Sequence, residues 1–99
     1  MIDTIKYVIS PELDSINAIY HGKKIGEITF VRVGNDRLII DYTNVIPEFR
    51  HKRIGLGLVR NAANMARNQH RYVITLCPFA QAMFNKFPEF DDIRLINAH

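Results

Sequence analysis

From Arg50 to Gly57 the chain reads Arg-His-Lys-Arg-Ile-Gly-Leu-Gly, four basic-type side chains and then two glycines, just where an apolar pattern of helical period begins. Those residue types in that order suit an anion, phosphate above all. The first N–H groups of a helix lack intrahelical partners, the helix dipole adds about half a positive charge there, and glycine lets an anion approach the backbone. The amides concerned run from about Arg53 to Gly57. A structural reading stands beside this one: Gly55 and Gly57 permit close packing of a helix on a sheet, and the basic residues are a solvated turn. The second chemical group is the thiol of Cys77, the only cysteine, which cannot close an internal disulfide. An apolar run before it and Pro78-Phe79 after it fit a buried, inert side chain. No Cys/His spacing matches a zinc site, so no metal is expected. His51 reads as a phosphate neighbour, while His21, His70 and the terminal His99 need no role.

The elements that must position these groups follow from hydrophobic period. Ser15 to Tyr20 reads as a strand, closed by a reversal over His21-Gly22-Lys23-Lys24. Ile25 to Val33 is a second strand, rich in β-branched and aromatic residues, with Ile28 and Phe30 on one face and Glu27, Thr29 and Val31 on the other. Gly34-Asn35-Asp36 turns the chain into a third strand from Arg37 to about Val45, and Pro47 ends it. From Ile54 to about Asn68 the period changes: Ile54, Leu58, Ala62 and Met65 share one helical face, widened by Leu56, Val59 and Ala63. Arg71 to Leu76 is a short apolar strand after a helix, expected to run parallel to a neighbour. A second helix over Phe79 to about Lys86 would bury Phe79, Met83 and Phe87, with Pro88 stopping it. The fold class is α+β (mixed α/β): an antiparallel β-meander, then α-β-α, with helices packed on the sheet.

Ninety-nine residues allow one domain, expected over 1–99. With 47% hydrophobic and 23% charged residues the composition is globular rather than disordered. No apolar run reaches the ~18 residues of a membrane span. The Met1-Ile2-Asp3 start lacks the regions of a secretory signal, so a cytoplasmic location is expected. The net charge of +3 is concentrated in the Arg50–Arg53 cluster, with the acids Glu89, Asp91 and Asp92 collected near the C-terminus.

Three stretches carry a resemblance. Asp-Tyr-Thr-Asn-Val-Ile-Pro-Glu-Phe-Arg (41–50), the glycine loop, and Leu-Cys-Pro-Phe-Ala (76–80) with Phe-Pro-Glu-Phe (87–90) resemble the minimal GNAT-like N-acetyltransferases, the small single-domain YjdJ-type branch of the GNAT superfamily. The resemblance covers about Ile16 to Ile93. It implies that acetyl-coenzyme A binds as cosubstrate, its pyrophosphate on Arg50, His51, Lys52, Arg53, Ile54, Gly55, Leu56 and Gly57, and its pantetheine arm paired with the backbone near Asn44 and Val45. It places Cys77 near the thioester, where a thiolate would face helix-terminal N–H groups and take the acetyl group covalently. The other route is direct attack by the acceptor amine, the oxyanion held by an N–H near Val45. Phe84, Phe87 and Phe90 read as core residues or as an apolar wall of the acyl pocket.

Two positions depart from the family pattern. Arg53 replaces the middle glycine of the Arg-x-x-Gly-x-Gly/Ala loop that Arg50 opens and Gly55 closes, and it offers a charge-assisted phosphate contact instead. Tyr42 stands where the family carries histidine in Asp-His-Thr, and a phenol serves as an acid or hydrogen-bond donor rather than a base. The expected activity is N-acetyl transfer to an amine, either a small molecule or a protein lysine. The alternatives are a non-catalytic coenzyme A-binding module and, more weakly, a small basic nucleic-acid-binding domain, for which no known motif is present.

Overall fold

Both hydrophobic periods are realised. In the strand β3 (Lys23–Val33) Ile28 and Phe30 are buried while Val31 is exposed, as alternation requires. The same face continues through Ile16 and Ala18 of β2 (Ser15–Tyr20), Leu38 and Ile40 of β4 (Arg37–Val45) and Val73 of β5 (Tyr72–Thr75). The helix α1 (Ile54–Asn68) lies across that face and buries Ile54, Leu56, Leu58, Val59, Ala62, Ala63, Met65 and Ala66 against it. The computed structural model describes residues 4–95. The Met1-Ile2-Asp3 start and His99 lie outside them.

Strand order in the sheet is β1-β2-β3-β4-β5, antiparallel through β4, with β5 parallel to β4 as its position after a helix implies. β1 (Lys6–Ile9) has no counterpart in the sequence reading. Only Tyr7 of its four residues is partly buried, so there is no alternation of buried and exposed residues to reveal it. Its pairing with β2, from Lys6 opposite Ile19 to Ile9 opposite Ile16, makes it a strand, and the Ser10 hydroxyl holds the turn by donating to Asp14 Oδ1 at 3.0 Å. β3 begins at Lys23 rather than Ile25, shortening the reversal to His21-Gly22.

The second helix, α2 (Pro78–Lys86), corrects the sequence reading. Ala80 and Phe84 are its buried residues, whereas Phe79 is exposed and Met83 and Phe87 are partly buried. The core takes the face one residue further round: Phe84 stacks on Phe90 of the 3-10 turn Pro88–Phe90, with ring centroids 4.7 Å apart. That stack consumes the two phenylalanines and leaves the Phe79–Met83–Phe87 face outside the core.

The acidic C-terminal segment is strapped to α1. Arg67 donates to both carboxylate oxygens of Asp92 at 3.0 Å and to the Glu89 carbonyl at 2.6 Å, while Arg60 Nε donates to Glu89 Oε1 at 2.8 Å. The hydrogen bond from Arg67 holds the Asp92 carboxyl below its ordinary value. A carboxylate held low in the folded state stabilises it above the unfolded value, about 3.9, and loses that contribution as pH falls through the folded value. Urea unfolding at stepped pH is therefore expected to show Asp92→Asn less stable than the wild type at neutral pH, with the gap closing as pH falls below about 4. A gap of constant size across that fall would contradict the linkage.

Candidate functional site

The site begins where two strands part. β4 and β5 pair from Arg37 opposite Tyr72 to Ile40 opposite Thr75. The Ile40 carbonyl then accepts N–H groups from both Leu76 at 2.9 Å and Cys77 at 3.1 Å. Past that point β5 leaves and β4 runs on from Asp41 to Val45 with no described strand on that edge. On the other edge β4 stays paired with β3 through a bulge: Thr29 faces Tyr42 and Phe30 faces Ile40, so Asp41 is the extra residue. Thr29 Oγ1 ties it down by donating to Asp41 Oδ1 at 2.5 Å.

Beyond Val45 a 3-10 turn, Pro47–Phe49, leads into the basic loop, and Arg50 Nε donates back to the Val45 carbonyl at 3.1 Å. The loop backbone is left-handed at His51 (φ 67°) and Arg53 (φ 62°) but not at Arg50 or Lys52. Alternating the sign of φ in this way turns successive N–H groups toward one side, the arrangement of an anion nest. Arg53 is also the N-cap of α1, with no side-chain cap. The first intrahelical bond runs from Gly57 N–H to the Arg53 carbonyl at 3.0 Å, so the free amides of the first turn stop at Leu56.

Both glycines lie under aromatic side chains in close contact. A Cβ on Gly55 would lie 2.5 Å from the Phe79 ring, and one on Gly57 would lie 2.0 Å from the Tyr7 hydroxyl. Gly55 brings α2 against the first turn of α1; Gly57 does the same for β1. Burial pushes the Tyr7 phenol up, keeping it protonated in that packed position.

Strand end, loop, first turn of α1 and one face of α2 enclose a cavity of about 620 Å³. Of the residues expected from sequence to bind the cosubstrate, Asn44, Val45, Arg50, His51, Arg53, Ile54, Gly55 and Leu56 line it. Lys52 and Gly57 do not: Lys52 is exposed in the loop, and Gly57 is turned toward Tyr7. Cys77 is buried just behind the lining, its Sγ donating to Oγ1 of the lining residue Thr43 at 3.5 Å. Tyr42, half exposed, precedes Thr43 in the strand and so points to the opposite face of the sheet from Cys77. Thr43, Phe49, Phe79, Met83 and Lys86 complete the lining without having been expected there, and Phe87 joins them as the apolar wall. Phe84 and Phe90 are core. The signal for the α2 wall was Lys86, which shares a helical face with Phe79, Met83 and Phe87. A face bound for the core would not carry a lysine.

The electrostatics are one-sided. Arg50, His51, Arg53 and Lys86 line the cavity, and no carboxylate among the described residues does. Among the described residues Arg60, Arg67, Lys24 and Arg37 have acidic partners, whereas Arg50, Arg53 and Lys86 have none within ion-pair distance. No group of three His, Cys, Asp or Glu side chains among the described residues is placed to hold a metal ion.

A five-stranded sheet whose fourth and fifth strands part over a basic loop and a helix start defines an acyltransferase-type fold of the GNAT kind. Residues 16–93 match the family model of the GCN5-related N-acetyl-transferases, and the chain belongs to that family. A GCN5-like protein from Staphylococcus aureus, solved by NMR, is similar with a TM-score of 0.72 and 24% identity over 95% of this chain and 91% of the other. A GNAT family acetyltransferase from Elizabethkingia anophelis, crystallised with acetyl-CoA bound, is similar at TM-score 0.61 and 17% identity, over 73% of this chain and 50% of that one. The ribosomal-protein-alanine N-acetyltransferase of Brucella melitensis gives 0.63 and 16%, over 86% and 63%. The chain thus spans nearly all of the first but only half to two thirds of the other two. No curated protein matches it.

Arg53 occupies a backbone conformation that costs an L-residue roughly 1–2 kcal/mol and glycine almost nothing. Arg53→Gly is expected to raise stability by about 0.5–1 kcal/mol in urea melts, the residue's lost left-handed penalty net of glycine's larger unfolded-state entropy. Arg53→Ala keeps the penalty and is expected to give no such gain.

Proposed function

We propose that the chain is an acetyl-CoA-dependent N-acetyltransferase of the small, single-domain YjdJ type, one domain over residues 1–99, acting in the cytoplasm on the amine of a small molecule or a protein lysine. The observation that carries this reading is the edge of β4 from Asp41 to Val45, which no described strand pairs, running beside a cavity that ends in a basic loop with no carboxylate among its described lining residues. An extended amide chain that continues into a diphosphate has the complementary chemistry. The backbone of Asn44 and Val45 serves the pantetheine amides as an added strand would. The nest amides and the first turn of α1 receive the diphosphate, with Arg50, His51 and Arg53 supplying charge-assisted bonds.

With the nucleotide end anchored at the loop, the thioester lies toward the parting of β4 and β5, beside Thr43 and Cys77. In the covalent route Cys77 Sγ attacks the thioester carbonyl carbon. A new C–S bond forms as the bond to the coenzyme sulfur breaks, and the proton from Cys77 goes to the departing thiolate. The acceptor amine then attacks the acetyl-cysteine, a C–N bond replaces C–S, and the ammonium proton returns to Sγ. Thr43 Oγ1, 3.5 Å from Sγ, accepts a hydrogen bond from the thiol and positions it. A backbone N–H near Val45 holds the oxyanion. Tyr42, on the opposite face, acts as a hydrogen-bond donor to an acceptor arriving from that side.

Titration calorimetry with acetyl-CoA is expected to show saturable binding, and absence of heat at millimolar ligand would end the reading at its first step. Intact mass after mixing is expected to show one acetyl group on the wild type and none on Cys77→Ala. If Cys77→Ala transfers acetyl to an amine panel at the wild-type rate, the amine attacks the thioester directly. If acetyl-CoA binds and no amine is ever acetylated, the domain is a coenzyme A-binding module instead.

A further inference from the structure

Among the described residues that line the cavity, Lys86 is the one basic side chain that the loop does not carry. It lies in the last turn of α2, on the face shared by Phe79, Met83 and Phe87. That face changes character along its length, from apolar at Phe79 and Met83 to cationic at Lys86. The two ends meet different parts of α1: Phe79 abuts Gly55 in the first turn, whereas the Phe87 ring lies 6.0 Å from the Arg60 guanidinium. Gly55 and Arg60 are about 7.5 Å apart along the helix axis, at 1.5 Å per residue. The C-terminal end of this face thus meets a residue of α1 beyond the first turn, whose free amides stop at Leu56.

A lysine in a last turn complements the helix dipole, which accounts for its charge but not for its place on the cavity face. Its ammonium is held 5.5 Å from the Phe87 ring centroid and has no carboxylate within ion-pair distance among the described residues. Arg60, the other cation at this ring, is by contrast neutralised by Glu89 at 2.8 Å. An unneutralised ammonium on the cavity wall, carried by α2 rather than by the basic loop, matches a second phosphate group. Coenzyme A carries one, a phosphomonoester on the ribose, with a charge of roughly −1.5 to −2 at neutral pH.

Resting on the acetyl-CoA reading above, we propose that Lys86 recognises the ribose 3′-phosphate, so that this acetyltransferase discriminates coenzyme A thioesters from their 3′-dephospho forms. The ammonium serves as a point charge for the monoester, a role distinct from the directional amides of the loop. The test is a two-by-two calorimetric titration: acetyl-CoA and 3′-dephospho-acetyl-CoA against the wild type and Lys86→Gln. The side chain is exposed, so the substitution leaves the core intact. The wild type is expected to bind acetyl-CoA about tenfold more tightly than the dephospho form, and Lys86→Gln to bind the two within about twofold, a coupling of about 1.0–1.4 kcal/mol. Lys86→Arg, keeping the charge, is expected to retain most of the preference. If Lys86→Gln keeps the full preference, or weakens both ligands alike, the assignment fails while the acetyl-CoA reading stands. If the wild type binds neither ligand, the proposed function itself fails and the assignment with it.

Discussion

The structure turns on the carbonyl of Ile40. It is the last β4 group that pairs with the β5 side, and it accepts two N–H groups, from Leu76 and Cys77, where a regular ladder would use one. By taking both it ends the pairing without leaving either donor orphaned. Three things follow. β5 turns away and α2 starts one residue later at Pro78, whose missing N–H costs nothing at a helix start. β4 runs on with one edge free for another extended chain. Cys77 is left at the fork, tucked under Thr43 rather than in the sheet.

Charge is sorted around that geometry. The acidic C-terminal segment reaches back to α1 and pairs with Arg60 and Arg67, on the side of the helix away from the loop. Exposed pairs of this kind contribute little stability individually. Their larger effect here is to absorb the carboxylates: Glu89 and Asp92 are engaged elsewhere, so the basic loop faces the cavity uncompensated. A net charge of +3 understates the local field for this reason. The loop also holds strain, since two side-chain-bearing residues, His51 and Arg53, sit in the left-handed region that glycine occupies freely. The guanidinium of Arg53 facing the cavity is what the chain has in exchange.

Strands β2 to β4, helix α1 and the parallel placement of β5 were legible because each depends on a local period: alternation for a sheet with one buried face, three-to-four spacing for a helix laid on it. The placing of the basic loop at the start of α1 was legible for a similar reason, as the change of period at Ile54 is local. β1 was not legible, because four residues with one inward side chain become a strand only through pairing with β2. The face of α2 was misread because Phe79, Met83, Phe84 and Phe87 offer two apolar stripes, and helical period cannot choose between them. Stacking of Phe84 on Phe90 chose, and handed the other stripe to the cavity.

By itself, then, the amino-acid sequence determined the element order from β2 onward, the run of basic residues and glycines at the start of a helix and the presence of one thiol at a strand end, all properties of short segments. Tertiary structure alone decided that Tyr42 and Cys77 stand on opposite faces of the sheet, that Gly57 serves Tyr7 rather than the cavity, and that Lys86 faces the cavity. Each of those outcomes depends on the packing of segments distant in the chain, and the free energy that selects among packings belongs to the contacts between them, which no local pattern contains.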